Sequence, residues 1–300
     1  MPEDRRGEAP LDLVWSLWSE LGVPGPRREH RRAIVDPERL LTVTPWFARG
    51  DARLSDLVFA WCIRHGARLS SSRLTALVRG AHPNVKFAAE AFLAELATAG
   101  VPLVPFEPLS TAPGRVDRDL PIHTGRPALL RFRMRALVGI GARADVLVAQ
   151  LSAPDTWMTA ASLVDEVGMA KRHIARVLAE FAEGTIAHAR QRGNVREFQL
   201  VNARALAEAV ALAPDAVFPR WGAVFEWMHL TDELCALPAD RPATIQVEVA
   251  RRREALFSLA LELGLPRDLP AEGHDTGAIL EWARKHARAM ADGKAHGLGG

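Results

Sequence analysis

The chain has 300 residues, of which 48% are hydrophobic and 25% charged, as in ordinary soluble globular proteins. The formal net charge at pH 7 is only +2, so the molecule is no polycation and any affinity for nucleic acid must come from a local patch. Neither a signal-peptide core nor an apolar run long enough to span a bilayer occurs. The sequence therefore predicts a cytoplasmic protein with no membrane partner.

Residues 1–100 predict a helical N-terminal domain, preceded by a polar segment, 1–10, that is expected to be disordered. Apolar periodicity predicts helices at 11–21, 37–44, 53–65, 73–79 and 84–99, most of them ended by glycine. Asp36, Pro37 and Glu38 form a typical helix start, because Asp caps, Pro suits the first helical position and Glu faces the positive end of the dipole. Pro45 is expected to end or kink the helix that follows.

Two features of this region could contact nucleic acid. Trp15 and Trp18 could stack on bases, but their helical spacing among leucines favours packing in the core. Residues 24–33 contain four arginines and could touch phosphates. Because arginine supplies nearly all of the 38 basic residues, which indicates GC-rich coding, a solvated charge run is the favoured interpretation.

Residues 101–130 contain six prolines and few periodic apolar positions, which predicts a linker or a surface strap. In residues 129–140, arginines alternate with other residues in a way that suggests a strand. The same residues could instead lead a helix into the next domain. The sequence leaves this choice open.

Residues 142–183 predict three helices. In the first, residues 142–151, apolar side chains at i, i+3, i+4 and i+7 form one helix face. A short extended segment, 155–158, is followed by Thr159, which is a suitable cap for a second helix at 160–167. Gly168 is expected to make the turn into a third helix at 169–183, because glycine adopts positive φ without strain.

The third predicted helix has two contrasting faces. Its apolar face contains Ala170, Ile174, Val177, Leu178 and Phe181. The opposite face carries two arginines separated by alanines, with basic neighbours at its flanks. Small residues allow close approach, and guanidinium pairs well with guanine or phosphate. This face therefore suits the major groove of DNA.

A basic hairpin is predicted next. Residues 186–190 and 195–201 have the pattern of two strands around the turn residues 191–194. Arg190, Arg192 and Arg196 give the hairpin a cationic tip and flanks.

The order helix, short strand, helix, turn, helix and basic hairpin resembles the winged-helix regulators of the MarR and ArsR type. The resemblance rests on this pattern of elements. It implies a winged helix-turn-helix domain at 131–202 that binds specific sequences of double-stranded DNA, in a bacterial transcriptional regulator acting as a homodimer. The candidate DNA-binding residues are Lys171, Arg172, His173, Arg176, Arg190, Arg192, Asn194 and Arg196.

Residues 203–300 predict a helical C-terminal region. Its helices are expected at 203–213, 220–236, 243–263 and 277–290, where they could form a dimer interface. Together with the preceding segments, this region predicts a mainly α fold: a helical N-terminal domain, a central winged helix-turn-helix with a small β-hairpin, and a helical C-terminal region.

No motif for catalysis or cofactor binding stands out. The phosphate loop GxxxxGK[ST], the nucleophile motif GxSxG and the zinc motif HExxH are absent, and residues 139–144 match a dinucleotide fingerprint only weakly. His229, Asp232 and Glu233 could share a helix face and hold a cation, but a solvent-facing ion pair is favoured. We expect no enzyme activity, no cofactor and no metal.

The sequence thus favours a DNA-binding regulator and leaves two alternatives. The first is a protein-interaction module or an antitoxin-like partner, in which the winged domain and the helices serve as a docking scaffold. The second is an enzyme with an unfamiliar site.

Overall fold

The structure, a computed structural model, describes residues 8–101, 103, 120–123, 125–266, 275–295 and 298. Over these residues the chain is mainly helical, with thirteen α-helices and one three-stranded antiparallel sheet. The mainly α fold class is therefore confirmed. The linker predicted at 101–130 lies largely outside the described residues, and so do residues 1–7. The disorder predicted for 8–10 is wrong, because these residues belong to the first helix.

Five helices make up the N-terminal part: α1 (Glu8–Glu20), α2 (Pro37–Phe47), α3 (Ala52–His65), α4 (Ser71–Gly80) and α5 (Pro83–Thr98). The predicted cap of α2 forms, because a carboxylate oxygen of Asp36 accepts a hydrogen bond from the Arg39 amide at 3.1 Å. Of the two expectations for Pro45, a helix end or a kink, the helix end is wrong. Helix α2 continues to Phe47, whose buried ring fixes the last turn in the core.

The central part contains α6 (Leu130–Val138), α7 (Ala142–Leu151), β1 (Met158–Thr159), α8 (Val164–Val167), α9 (Lys171–Glu183), β2 (Ala187–Arg192) and β3 (Val195–Leu200). Residues 130–138 are thus helical, which settles the choice that the sequence left open. The sheet has the order β1-β3-β2. The sheet packs with α7, α8 and α9 around a hydrophobic core.

Helix α8 is much shorter than the predicted 160–167. Thr159 and Ser162 bond each other instead: the Ser162 amide donates to Thr159 Oγ1, and the Thr159 amide donates to Ser162 Oγ, both at 3.0 Å. The bond from the Ser162 amide to Thr159 Oγ1 is that of a helix cap, as predicted for Thr159. Residues 160–163 form turns, and the helix begins only at Val164.

The C-terminal part consists of α10 (Ala203–Ala209), α11 (Trp221–Cys235), α12 (Pro242–Glu262) and α13 (Thr276–Ala291). Helices from both ends of the chain share a second, larger core, in which α1 packs against α13 and α11. Trp15 and Trp18 are buried there, as the sequence predicts. The Trp18 and Trp61 rings meet edge to face with their centroids 5.1 Å apart.

The basic run at 24–33 is only partly solvated. Arg28 and Arg31 are exposed, but His30 is fully buried and its Nδ1 and Nε2 lie 2.8 Å from Ser16 Oγ and the Met290 carbonyl. The solvated-run interpretation is therefore wrong for His30. The histidine links the segment after α1 to the end of α13.

A buried network of ion pairs joins the two cores. It consists of Arg73, Arg131, Arg135, Asp36, Glu38 and Asp145. Its contacts include Arg73 Nη2 to Asp36 Oδ2 at 2.5 Å, Arg135 Nη1 to Glu38 Oε1 at 2.5 Å and Arg131 Nη1 to Asp145 Oδ1 at 2.8 Å. Because α2, α4, α6 and α7 each contribute, the network fixes the central part on the helical core.

Among the described helices, none combines the length and the apolar character required to cross a lipid bilayer.

Candidate nucleic-acid interface

The turn between α8 and α9 depends on glycine. Gly168 has φ of 66° and ψ of 34°, a left-handed conformation that other residues avoid. A Cβ atom at this position would also lie 3.3 Å from Arg73 Nε and from Leu77 Cδ2. The chain then extends at Ala170 and enters α9. Gly168 therefore sets the angle at which α9 leaves the body of the protein.

Helix α9 separates apolar and basic side chains cleanly. Ile174, Val177, Leu178 and Phe181 are buried, as the sequence predicts. Ala170 lies outside the helix and is exposed, so its predicted place on the apolar face is wrong. The helix begins two residues later than predicted because Met169 and Ala170 form the connection from Gly168.

The basic side chains of α9 gather at its N-terminal half. Lys171 and Arg172 are exposed, His173 is half-buried, and 68% of the Arg176 side chain is accessible. Within the described part of the chain, no carboxylate lies within ion-pair distance of Lys171 or Arg172. The first turn of a helix also presents free amides and the positive end of the helix dipole. This end of α9 therefore attracts anions.

Glu180 marks the other end of this basic surface. Its Oε1 lies 3.8 Å from Arg176 Nε, and its Oε2 accepts a hydrogen bond from Arg143 Nη2 at 2.8 Å. The hydrogen bond from Arg143 lowers the pKa of Glu180. Sequence reasoning missed Arg143 because it belongs to α7 and reaches α9 only in the folded chain.

The hairpin turns more tightly than predicted. Arg192 pairs with Val195 in the register of β2 and β3, which leaves a two-residue turn of Gly193 and Asn194 instead of four residues. Gly193 has φ of 60°, and glycine in the first position suits a type II′ turn. Asn194 is exposed at the tip.

The three hairpin arginines do not form one surface. Side chains alternate across a strand, and Arg196 pairs with Gln191 whereas Arg190 pairs with Glu197. Arg196 therefore lies on the opposite face from Arg190 and Arg192.

Arg190 is also engaged within the protein. Its Nε donates to Glu197 Oε2 at 2.7 Å, and its guanidinium lies 4.1 Å from the centre of the Trp157 ring. Arg192 is 77% exposed, and its Nη1 is 3.8 Å from Glu197 Oε1. Arg192 is thus the more accessible of the two.

Residues 169–201 as a whole are locally basic, with six lysine and arginine residues against three glutamates. The full chain is close to neutral. Positive charge therefore exceeds negative charge along α9 and the hairpin.

No protein-family model matches this chain, and neither a curated protein nor a solved structure shows significant similarity to it. The functional conclusion therefore comes from the geometry of the chain itself.

A second group of polar residues lies away from α9. The prediction that His229 faces solvent in an ion pair is wrong: it is buried, because the residues that precede α5 cover this part of α11. Asp232 instead accepts a hydrogen bond from Arg49 at 2.9 Å. His82, which is far away in the sequence, lies beside His229 and Glu233. The sequence contains no local signal for this meeting.

Proposed function

We propose that residues 131–202 form a winged helix-turn-helix domain and that the chain binds double-stranded DNA as a transcriptional regulator. The observation that carries the proposal is the surface of α9. Its apolar side is buried, while Lys171, Arg172 and Arg176 project from the other side. The order of helices and strands and the sheet order β1-β3-β2 support the same class of domain.

Two arginines would read base edges. Arg172 and Arg176 are four residues apart, which places them about 6 Å apart along a helix axis. Ala175 and Ala179 lie beside them and leave room for close approach to a groove. A bidentate pair between arginine and guanine contributes about 1–3 kcal/mol of discrimination against a wrong base. Lys171 and the free amides of the first turn would bind phosphate.

The hairpin would position the helix. Arg192, at the tip, can contact phosphates or the minor groove without giving up a buried contact. Glu180 would keep the second half of α9 away from phosphates, which confines the DNA contact to the first two turns.

We propose that two copies act together. One such domain buries too little surface for tight and specific binding, whereas a dimer on a palindrome doubles the contacts. Enriched half-sites about one helical turn apart would support this arrangement.

The test is selection of binding sequences from a random duplex pool with the full chain, followed by titration of the enriched duplex. Replacing both Arg172 and Arg176 with alanine should reduce its affinity to that for random DNA. Arg251→Ala is the matched control, because Arg251 is an exposed arginine on α12 with the same charge. Equal loss in both variants, or no enrichment at low salt, would contradict the proposal.

A protein-docking role is the second candidate. It is favoured by exposed apolar residues on the central part, including Ile186 and Val195 on the hairpin and Leu137 and Ile140 before α7. Phosphate contacts do not need such residues. If no duplex is enriched at low salt, while a protein partner co-purifies with the wild type and is lost with Val195→Ser, the docking role replaces the DNA-binding role.

A further inference from the structure

Three side chains with metal-binding atoms meet outside the candidate DNA surface. His82 directly precedes α5, and His229 and Glu233 lie one turn apart on α11. One ligand atom from each lies within 4.8 Å of the others. The rings of His82 and His229 have their centroids only 4.3 Å apart.

His229 is an unusual buried histidine. It is 2% exposed, yet within the described part of the chain neither ring nitrogen has a hydrogen-bond partner. Buried polar atoms without partners are rare and costly, so they call for a ligand. Burial lowers the pKa of His229 to about 4 against the opposing charge of Glu233, with His82, Arg252 and Arg49 adding to the decrease. An imidazole nitrogen that accepts no hydrogen bond offers its lone pair to a metal ion.

Glu233 is held with one oxygen toward the histidines. Arg252 Nη2 donates to Glu233 Oε2 at 3.0 Å. The other oxygen, Oε1, lies 3.4 Å from His229 Nε2 and 4.0 Å from His82 Nε2. Metal-binding carboxylates are commonly oriented in this way by a hydrogen bond from a neighbouring residue.

The spacing suits a small tetrahedral ion. Ligand atoms at ~2.0–2.1 Å from a tetrahedral Zn²⁺ lie ~3.3 Å from one another. The separation between His229 and Glu233 already agrees with this value. His82 Nε2 lies 4.0 Å from Glu233 Oε1, so His82, whose side chain is 38% exposed, must move inward to bind the same ion.

We propose that His82, His229 and Glu233 bind one divalent transition-metal ion, with Zn²⁺ as the best match. Two imidazoles and a carboxylate are a ligand set that leaves a fourth position open. Both histidines line a cavity of about 470 Å³ together with Glu226, so a small molecule could reach the ion from there. The open position accepts water or an anionic donor group of a small molecule. The site goes beyond the proposed DNA-binding function and does not depend on it.

The test is calorimetric titration of the metal-stripped full chain with Zn²⁺. Wild-type protein should bind one equivalent, and Co²⁺ in its place should give the visible absorption of a tetrahedral complex. His82→Ala should weaken Zn²⁺ binding by more than the ~10–100-fold that is typical for loss of an outer-shell partner. Because His82 is partly exposed, this variant should retain the circular dichroism of the wild type.

Two further variants complete the test. His188→Ala removes an exposed histidine of β2 and should leave Zn²⁺ binding unchanged. Arg252→Gln should weaken it less than His82→Ala does, because it removes only the residue that orients Glu233. Absence of stoichiometric binding in the wild type, or equal losses in His82→Ala and His188→Ala, would overturn the proposal.

Discussion

Arginine has opposite surroundings in two regions of this molecule. At the junction of the two cores, Arg73, Arg131 and Arg135 are buried and bonded to carboxylates. On α9, Arg172 is exposed and Arg176 has only a weak partner at 3.8 Å. The same side chain thus holds the fold together in one place and remains available to a ligand in the other. In a chain so rich in arginine, burial and partners distinguish the two roles, whereas residue type does not.

The two regions are physically connected through Arg73. Its Nε donates to the Val167 carbonyl at 2.7 Å, and its Nη2 donates to the Glu166 carbonyl at 3.0 Å. Both carbonyls belong to α8, immediately before the turn into α9. The buried arginine therefore supports the element from which the exposed arginines project.

The largest expected effect is loss of the buried network. Arg73→Ala removes the nearest charge partner of Asp36, whereas Glu38 keeps its ion pair with Arg135. Removing one member of a buried pair costs about 3–5 kcal/mol. We expect the free energy of unfolding in urea to fall by that amount. Arg172→Ala is the matched exposed variant and should change it by less than about 0.5 kcal/mol. Similar losses of unfolding free energy in both variants would contradict the distinction between buried, structural arginines and exposed ones.

Acid should weaken the same network. Burial opposes ionisation of Asp36, but the charges of Arg73 and Arg131 and the hydrogen bonds from Arg73 outweigh it and hold the pKa of Asp36 far below its ordinary value. A carboxyl whose pKa is lower in the folded state stabilises the protein above its ordinary pKa and loses this contribution as pH falls below that value. We expect the free energy of unfolding to decrease from about pH 5 downward.

Asp36→Asn isolates this contribution, because asparagine also caps helices. The difference in unfolding free energy between wild type and Asp36→Asn should be largest near pH 7 and should shrink toward pH 3. A difference that is constant across this range would show that the Asp36 charge does not cause the pH dependence.

The sequence predicted the surface of α9 better than the junction. Helix 169–183 could be recognised because its two faces repeat within one continuous segment, and its buried and exposed residues follow from that period. The buried ion-pair network could not be recognised, because Arg73 meets Val167 only after folding. The proposed metal site could not be recognised either, because His82 meets His229 only after folding. The alternate arginines of 131–135 suggested a strand, yet Arg131 and Arg135 lie one turn apart on a helix and point inward together.

The turn at Gly168, between α8 and α9, should be sensitive to the single methyl group that alanine adds. Gly168→Ala forces a left-handed conformation that costs about 1–2 kcal/mol, and the new Cβ would press on Arg73 and Leu77. We expect a stability loss of that size and weaker binding to the selected duplex, because α9 would be displaced. Gly193→Ala at the hairpin tip has the same kind of φ but meets no atom within 4 Å. It should lose a similar amount of stability from the backbone alone and leave the angle of α9 unchanged.

The smallest effect is expected at the hairpin. Arg192→Ala removes one exposed charge whose partner, Glu197, keeps its bond to Arg190, so stability should not change. If Arg192 contacts a phosphate, affinity should fall about equally for selected and random duplexes, and the slope of log affinity against log salt should become shallower by about 0.9. Arg190→Ala should affect the slope less, because Arg190 already bonds Glu197 and covers Trp157. If affinity fell only for the selected duplex, Arg192 would instead read a base. The base-reading surface would then include the hairpin as well as α9.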